Sequence, residues 1–244
     1  MSAATLTPER RSQVVRQAMS VAVATGAYGI SFGALSVAAG LSILQTQVLS
    51  VLLFSGGSQF AFVGVMAAGA SGGAAAVATS TLLGVRNGLY GLQVARMLDV
   101  RGLRRVFAAQ LTIDESTAVG VAQPERAAAR LGFWTTGIGV FVLWNCTTFV
   151  GAIVGDAMGD PRRYGLDAAA AAAFCALLWP RLKSKDAFAI AVLAALIAVL
   201  VAPHAPAGVP VLVAACTALL AGLSRRVHHD PPGPHEWPDQ ASPS

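Results

Sequence analysis

Between Gln17 and Val85 the chain has no Asp, Glu, Lys, Arg or His. No soluble core needs an uncharged run of that length, whereas about three bilayer crossings of roughly 20 residues each would use it up. The block is broken once by Phe54-Ser55-Gly56-Gly57-Ser58-Gln59-Phe60-Ala61. Adjacent glycines weaken a helix, each by about 1 kcal/mol relative to alanine. Two hydroxyls and an amide would also go unsatisfied against lipid. This pattern has two readings: a broken membrane helix at a substrate site, or close helix packing, which small residues also permit.

Composition agrees with the membrane reading. Only 12% of the 244 residues are charged and 55% are hydrophobic, against about 25% charged in a soluble domain. The expected fold is therefore all-α: a polytopic membrane helix bundle of about seven spans (six to eight), with at least one broken helix. Residues 1–16 form a basic cytoplasmic lead-in, 17–223 the transmembrane domain and 224–244 a Pro-rich disordered tail. The first apolar stretch is too long for a cleaved leader, so it is expected to be retained. The net charge of +5 comes from arginines and lysines in short segments between apolar runs. There they orient a membrane protein, and no basic-aromatic patch suggests nucleic acid. Cys146, Cys175 and Cys216 lack metal or disulfide spacing, and neither metal nor cofactor is expected.

Expected crossings fall near 17–39, 46–69, 73–95, 131–155, 164–180, 186–202 and 208–223. The arginines and lysines near 126–130, 181–185 and 225–226 place both termini in the cytoplasm. Three crossings before residue 96 would then put the arginines between Arg96 and Arg105 outside. Either 106–122 also crosses, or one early segment turns back on itself.

Arg86 lies about ten residues from the end of its helix, too deep to reach the interface. A charge there costs about 2.5–3.5 kcal/mol on insertion scales and calls for a partner. Asp114 and Glu115 are the candidates, either as a structural ion pair or as a carboxylate that carries a coupling proton. Asn145, Thr147 and Thr148 are polar in a Gly-rich helix as Ser58 and Gln59 are, which suggests an inverted repeat with a midplane site. The candidate substrate-binding residues are Ser55, Gly56, Gly57, Ser58, Gln59 and Asn145, with Phe54, Phe60 and Phe62 as an apolar lining. GxxxG spacings at Gly29/Gly33, Gly84/Gly88 and Gly151/Gly155 offer faces for a small membrane partner.

An enzyme fits poorly. Ser58 has no membrane-embedded His, since His204 lies in a Pro-flanked loop, and Val154-Gly155-Asp156 lacks the first glycine of a GxGD site. A non-transporting assembly subunit would not need a buried Arg86. A transporter of another small neutral solute stays open.

Gly29-Ile30-Ser31-Phe32-Gly33, Phe54–Ala61, Arg86-Asn87-Gly88-Leu89-Tyr90 and Thr112-Ile113-Asp114-Glu115-Ser116 occur in that order. Together they resemble the AzlC-type (azaleucine-resistance) branched-chain amino acid permease family. Asn87 stands where that pattern carries His. The resemblance implies an exporter of leucine, isoleucine and valine in the bacterial cytoplasmic (inner) membrane, working with a small AzlD-type membrane subunit.

Overall fold

The computed structural model describes residues 6–67, 73–158, 182–205 and 209–226, with Cys175, Leu178 and Trp179 between them. Among the described residues the chain is helical without strands. The crossing expected at 164–180 and the tail beyond Arg226 lie outside the described residues.

Helix α1 (Pro8–Ala27) starts earlier than the composition suggests, because Thr7 caps it and Pro8 suits its first turn. It runs into α2 (Gly29–Ala38) with an interruption at Tyr28. The short helices α3 (Ile43–Leu52) and α4 (Gly56–Ala67) flank the Leu53–Ser55 break, and α5 is Gly73–Leu98. A second short pair follows, α6 (Leu103–Gln110) and α7 (Asp114–Val121), then the long α8 (Arg126–Met158). Helices α9 (Lys185–Val201) and α10 (Val209–Arg226) pack on each other, and α10 touches α5. Pro8–Ala38, Arg126–Met158 and Lys185–His204 are the three described helices long and apolar enough to cross a membrane. The broken pairs supply no such helix, since their halves of 8 to 12 residues rise only about 12–18 Å.

Small residues decide how α1, α2 and α8 fit together. Gly132 faces Val14, Gly139 faces Ala22, Gly151 faces Ile30 and Gly155 faces Ala34, so the two long helices run parallel. A Cβ on Gly33 would strike the Thr148 carbonyl, and one on Gly151 the Ile30 carbonyl. The Gly29/Gly33 and Gly151/Gly155 pairs are therefore used against each other inside the chain, which removes them as faces for a partner. At Gly88 a Cβ would meet nothing within 4 Å among the described residues.

One end of the bundle collects arginines. Arg10 pairs with Glu125 at 3.1 Å and donates to Gln123 Oε1 at 2.9 Å. Arg126 and Arg130 donate to the Met97 carbonyl at 3.3 and 3.2 Å, and Arg126 lies 3.8 Å from Asp99. The starts of α1 and α8 and the end of α5 thus share this end, so α5 runs antiparallel to α8.

That arrangement fixes the short pairs. Helices α6 and α7 lie between the end of α5 and the start of α8, so this pair enters from the arginine-rich end and turns back there. In the other pair, Gly57 sits beside Arg86 and Ser58 beside Gly84, and only residues 68–72 separate α4 from α5. Helix α4 therefore runs antiparallel to the first half of α5, back toward the end opposite the arginines. Its arms splay around a cleft of about 590 Å³ that reaches from Gly40 and Leu41 to Phe62 and Met66. Neither 46–69 nor 106–122 traverses the bundle, which removes the charge conflict set by three early crossings.

Candidate functional site

The two turns meet. Gln110 Nε2, at the end of α6, donates at 2.8 Å to the Val51 carbonyl at the end of α3. Arg86, in the middle of α5, stands between the two returning helices. Its Nη2 is 2.9 Å from Asp114 Oδ2, in the first turn of α7. On its other flank, a Cβ on Gly57 would lie 2.7 Å from the same nitrogen. Only glycine leaves room for the guanidinium against the first turn of α4. Tyr90 Oη donates to Asp114 Oδ1 at 2.8 Å and holds the carboxylate toward Arg86. The side chains of Arg86 and Asp114 keep 29% and 22% of their exposure, so the pair is reachable rather than sealed.

Each turn is built by its own polar residues. In the first, Gln59 Nε2 donates to the Leu53 and Ser50 carbonyls at 2.8 and 3.2 Å, the second an acceptor that the break leaves free. Trp144 Nε1 donates to Gln59 Oε1 at 2.9 Å, tying the turn to α8. In the second, Ser116 Oγ accepts from Ile113 N at 3.1 Å and donates to the Leu111 carbonyl.

The first turn differs in what it leaves bare. The Gln59 amide closes the first helical bond to the Ser55 carbonyl. The amides of Gly56, Gly57 and Ser58 precede it and have no hydrogen-bond partner among the described residues. The buried hydroxyls of Ser50, Ser55 and Ser58, Arg86 Nε and Asn87 Oδ1 also lack partners there. Buried polar groups without partners are costly, so such a group of them fits a site for a polar guest or water. Bare amides at a helix N-terminus favour an anionic group, and the neighbouring guanidinium adds to this.

An aromatic wall closes the site on the α1–α2 and α8 side. Tyr28 meets Trp144 edge-on at 5.1 Å, and Phe32 lies 5.6 Å from Phe60 and 6.0 Å from Trp144. Tyr28, at the interruption between α1 and α2, lies within electrostatic reach of Glu115, Asp114 and Arg86. Helix interruptions at Tyr28, Leu53–Ser55 and Leu111–Ile113 therefore converge on one region.

The structure thus brings Gly57, Ser58, Arg86 and Asp114 together, with Ser55, Gly56 and Gln59 in the adjoining turn. Glu115 follows Asp114 in the first turn of α7. Asn145 sits elsewhere, on the unbroken α8. Its amide donates to the Phe141 carbonyl at 2.7 Å, and its Oδ1 accepts from Gln47 at 3.3 Å. The counterpart of the Ser58-Gln59 turn is Ile113–Ser116, not Asn145. The three phenylalanines also separate: Phe60 joins the aromatic wall, Phe54 packs on Phe141 at 4.9 Å, and Phe62 lines the cleft between α3 and α4. Sequence reasoning missed Tyr28, Tyr90, Gln110 and Trp144. Of these, only Tyr90 carried a local signal, being one helical turn beyond Arg86.

Long apolar helices around a reachable charged centre, flanked by broken helices, define a membrane transport protein. The sequence model of one family, described as AzlC protein, matches residues 20–158. The chain belongs to the AzlC family. The match ends where α8 ends and contains both hairpins and every residue of the site. No curated protein and no solved structure matches the chain.

Proposed function

We propose that this protein is a secondary transporter of branched-chain amino acids. The observation that carries the proposal is Arg86, paired with Asp114 on one flank and set against the bare first turn of α4 on the other. A free amino acid is a zwitterion with an aliphatic tail. Its carboxylate suits the Gly56–Ser58 amides and Arg86, and its ammonium suits Asp114. Binding would substitute two intermolecular charge contacts for the Arg86–Asp114 contact, which limits the cost of prising that pair apart. The wall of Tyr28, Phe32, Phe60 and Trp144 suits a leucine, isoleucine or valine side chain.

Two hairpins that enter from opposite ends and meet at mid-bundle form an inverted arrangement. Rocking either one would open the same site to one side. On this reading the arginine-rich end and both termini face the cytoplasm of a bacterial inner membrane, and the direction of net movement is export. Coupling to an ion gradient would act through this exchange of partners at Arg86 and Asp114. The protein works as a transporter and not as an enzyme. A small AzlD-type membrane subunit packs on α5, where Val85, Leu89 and Leu92 are exposed and Gly88 and Gly91 are uncovered.

Counterflow of labelled leucine, valine and isoleucine into proteoliposomes tests the proposal, with the small subunit present and absent. Exchange of these three over alanine and lysine is expected, at full rate only with the subunit. Equal exchange of all five, or of none with the subunit present, would refute the substrate assignment.

A further inference from the structure

Helix α6 carries features that the transport site does not use. Leu103, Val106 and Phe107 are exposed at 78%, 65% and 64%, beside Arg104 and Arg105 and just after Arg101. Apolar residues interleaved with arginines suit a helix that lies where acyl chains meet headgroups. Between α6 and α8, Val100, Arg104, Phe107 and Trp134 line a cleft of about 350 Å³. Arg101, Arg104 and Arg105 have no ion pair or side-chain hydrogen bond among the described residues. Of the acids at this end, Asp99 pairs with Arg126 and Glu125 with Arg10, and Glu9 sits on α1. Gly102, before the helix, supplies no side-chain cap, so the first turn of α6 adds its own partial positive charge.

We propose that this cleft binds an anionic phospholipid. Its phosphate rests on Arg104 within the field of Arg101 and Arg105, and its first acyl carbons lie against Val100, Phe107 and Trp134. Three of the four lining residues are apolar, which favours a lipid over free phosphate: an inorganic ion would leave those walls uncovered. Trp134 at the membrane interface fits the same depth. The site is independent of which solute the protein moves. It has a consequence for that movement, because α6 is the outer arm of the hairpin that holds Asp114. A lipid seated on α6 would brace that arm.

The test uses the full chain in phosphatidylcholine vesicles. A fixed fraction of the lipid is replaced by brominated phosphatidylglycerol or by brominated phosphatidylcholine. Trp134 emission is isolated as the difference between the parent and Trp134→Phe. Brominated phosphatidylglycerol is expected to quench it at several-fold lower mole fraction than brominated phosphatidylcholine. Arg104→Gln should cut that preference about fivefold, the effect of one basic residue at an anionic surface, while Arg104→Lys should retain most of it. Inorganic phosphate should leave the quenching unchanged. Equal quenching of the parent by the two lipids would overturn the proposal whatever the variants do. An undiminished preference in folded Arg104→Gln would overturn it too, as would abolition by inorganic phosphate, which would mark a free-anion site.

Discussion

In the α3–α4 hairpin the turn is uncharged and the returning helix begins with bare amides. In the α6–α7 hairpin the turn caps itself through Ser116 and the returning helix begins with Asp114 and Glu115. The geometry is alike, with two short helices, a three-residue break and a return to the side of entry. The chemistry is opposite, and Arg86 stands between the two. A partial positive end with nothing on it faces a negative end already paired, which on the proposed reading lets the site take a carboxylate and an ammonium together without a change in net charge. On that reading this division of roles selects a zwitterion over a simple anion or cation.

Breaking the charged half should have the largest effect. Arg86→Gln alone or Asp114→Asn alone strands the other charge at mid-bundle. Each should lower stability by about 2–3 kcal/mol, somewhat under the cost for a fully buried pair because both side chains keep some exposure. Thermal unfolding of the purified protein measures it, and both variants should also lose leucine counterflow. Singles that unfold and transport as the parent does would remove the pair from the account.

The neutral half should respond to the position of one methyl group. A Cβ on Gly57 would sit 2.7 Å from Arg86 Nη2, whereas one on Gly56 would make ordinary contact with Trp144 at 3.5 Å. Gly57→Ala should displace the guanidinium and weaken leucine binding on the order of tenfold, a loss of about 1.4 kcal/mol. Gly56→Ala should bind as the parent does. Equal affinities would mean that the first turn of α4 is only a packing surface.

The two glutamines should differ from each other in their effect on stability. Gln59→Leu leaves Trp144 Nε1 and the Ser50 carbonyl without partners in an apolar setting, at about 1–3 kcal/mol. Gln110→Leu removes one more exposed bond to Val51 and should cost about 0.5–1.5 kcal/mol. Unfolding midpoints of the two variants, compared side by side, rank them. The reverse order would mean that the joint between hairpins matters more than the tie to α8.

These elements were unequally legible in the sequence. The first break was visible because Ser55–Gln59 is polar inside an uncharged block. Arg86 could be given a partner at Asp114 or Glu115 on cost alone, since a charge at that depth needs its opposite; the structure selects Asp114. The second hairpin was harder, because eight-residue halves are too short to show a helical period. Its one signal was the Thr112–Ser116 run, with two acids where a helix would start. Two of the three GxxxG spacings are contact faces, but spacing does not say which chain fills them. The pairs at Gly29/Gly33 and Gly151/Gly155 fill each other, which leaves α5 as the uncovered one. Tyr28, Trp144 and Gln110 act only because of how α1, α8 and α6 are rotated. That depends on packing across the whole bundle and leaves no local trace.

The double variant Arg86→Gln/Asp114→Asn, assayed by leucine counterflow after its fold is checked by thermal unfolding, tests the central claim most directly. With both charges gone no lone charge is stranded, so the protein should regain most of the stability that either single change removes. If Arg86 and Asp114 hold the two ends of the substrate, this folded protein should exchange no leucine above protein-free vesicles at any pH. A folded double variant that exchanges leucine at the parent rate would contradict the account and reduce the pair to a structural link between hairpins.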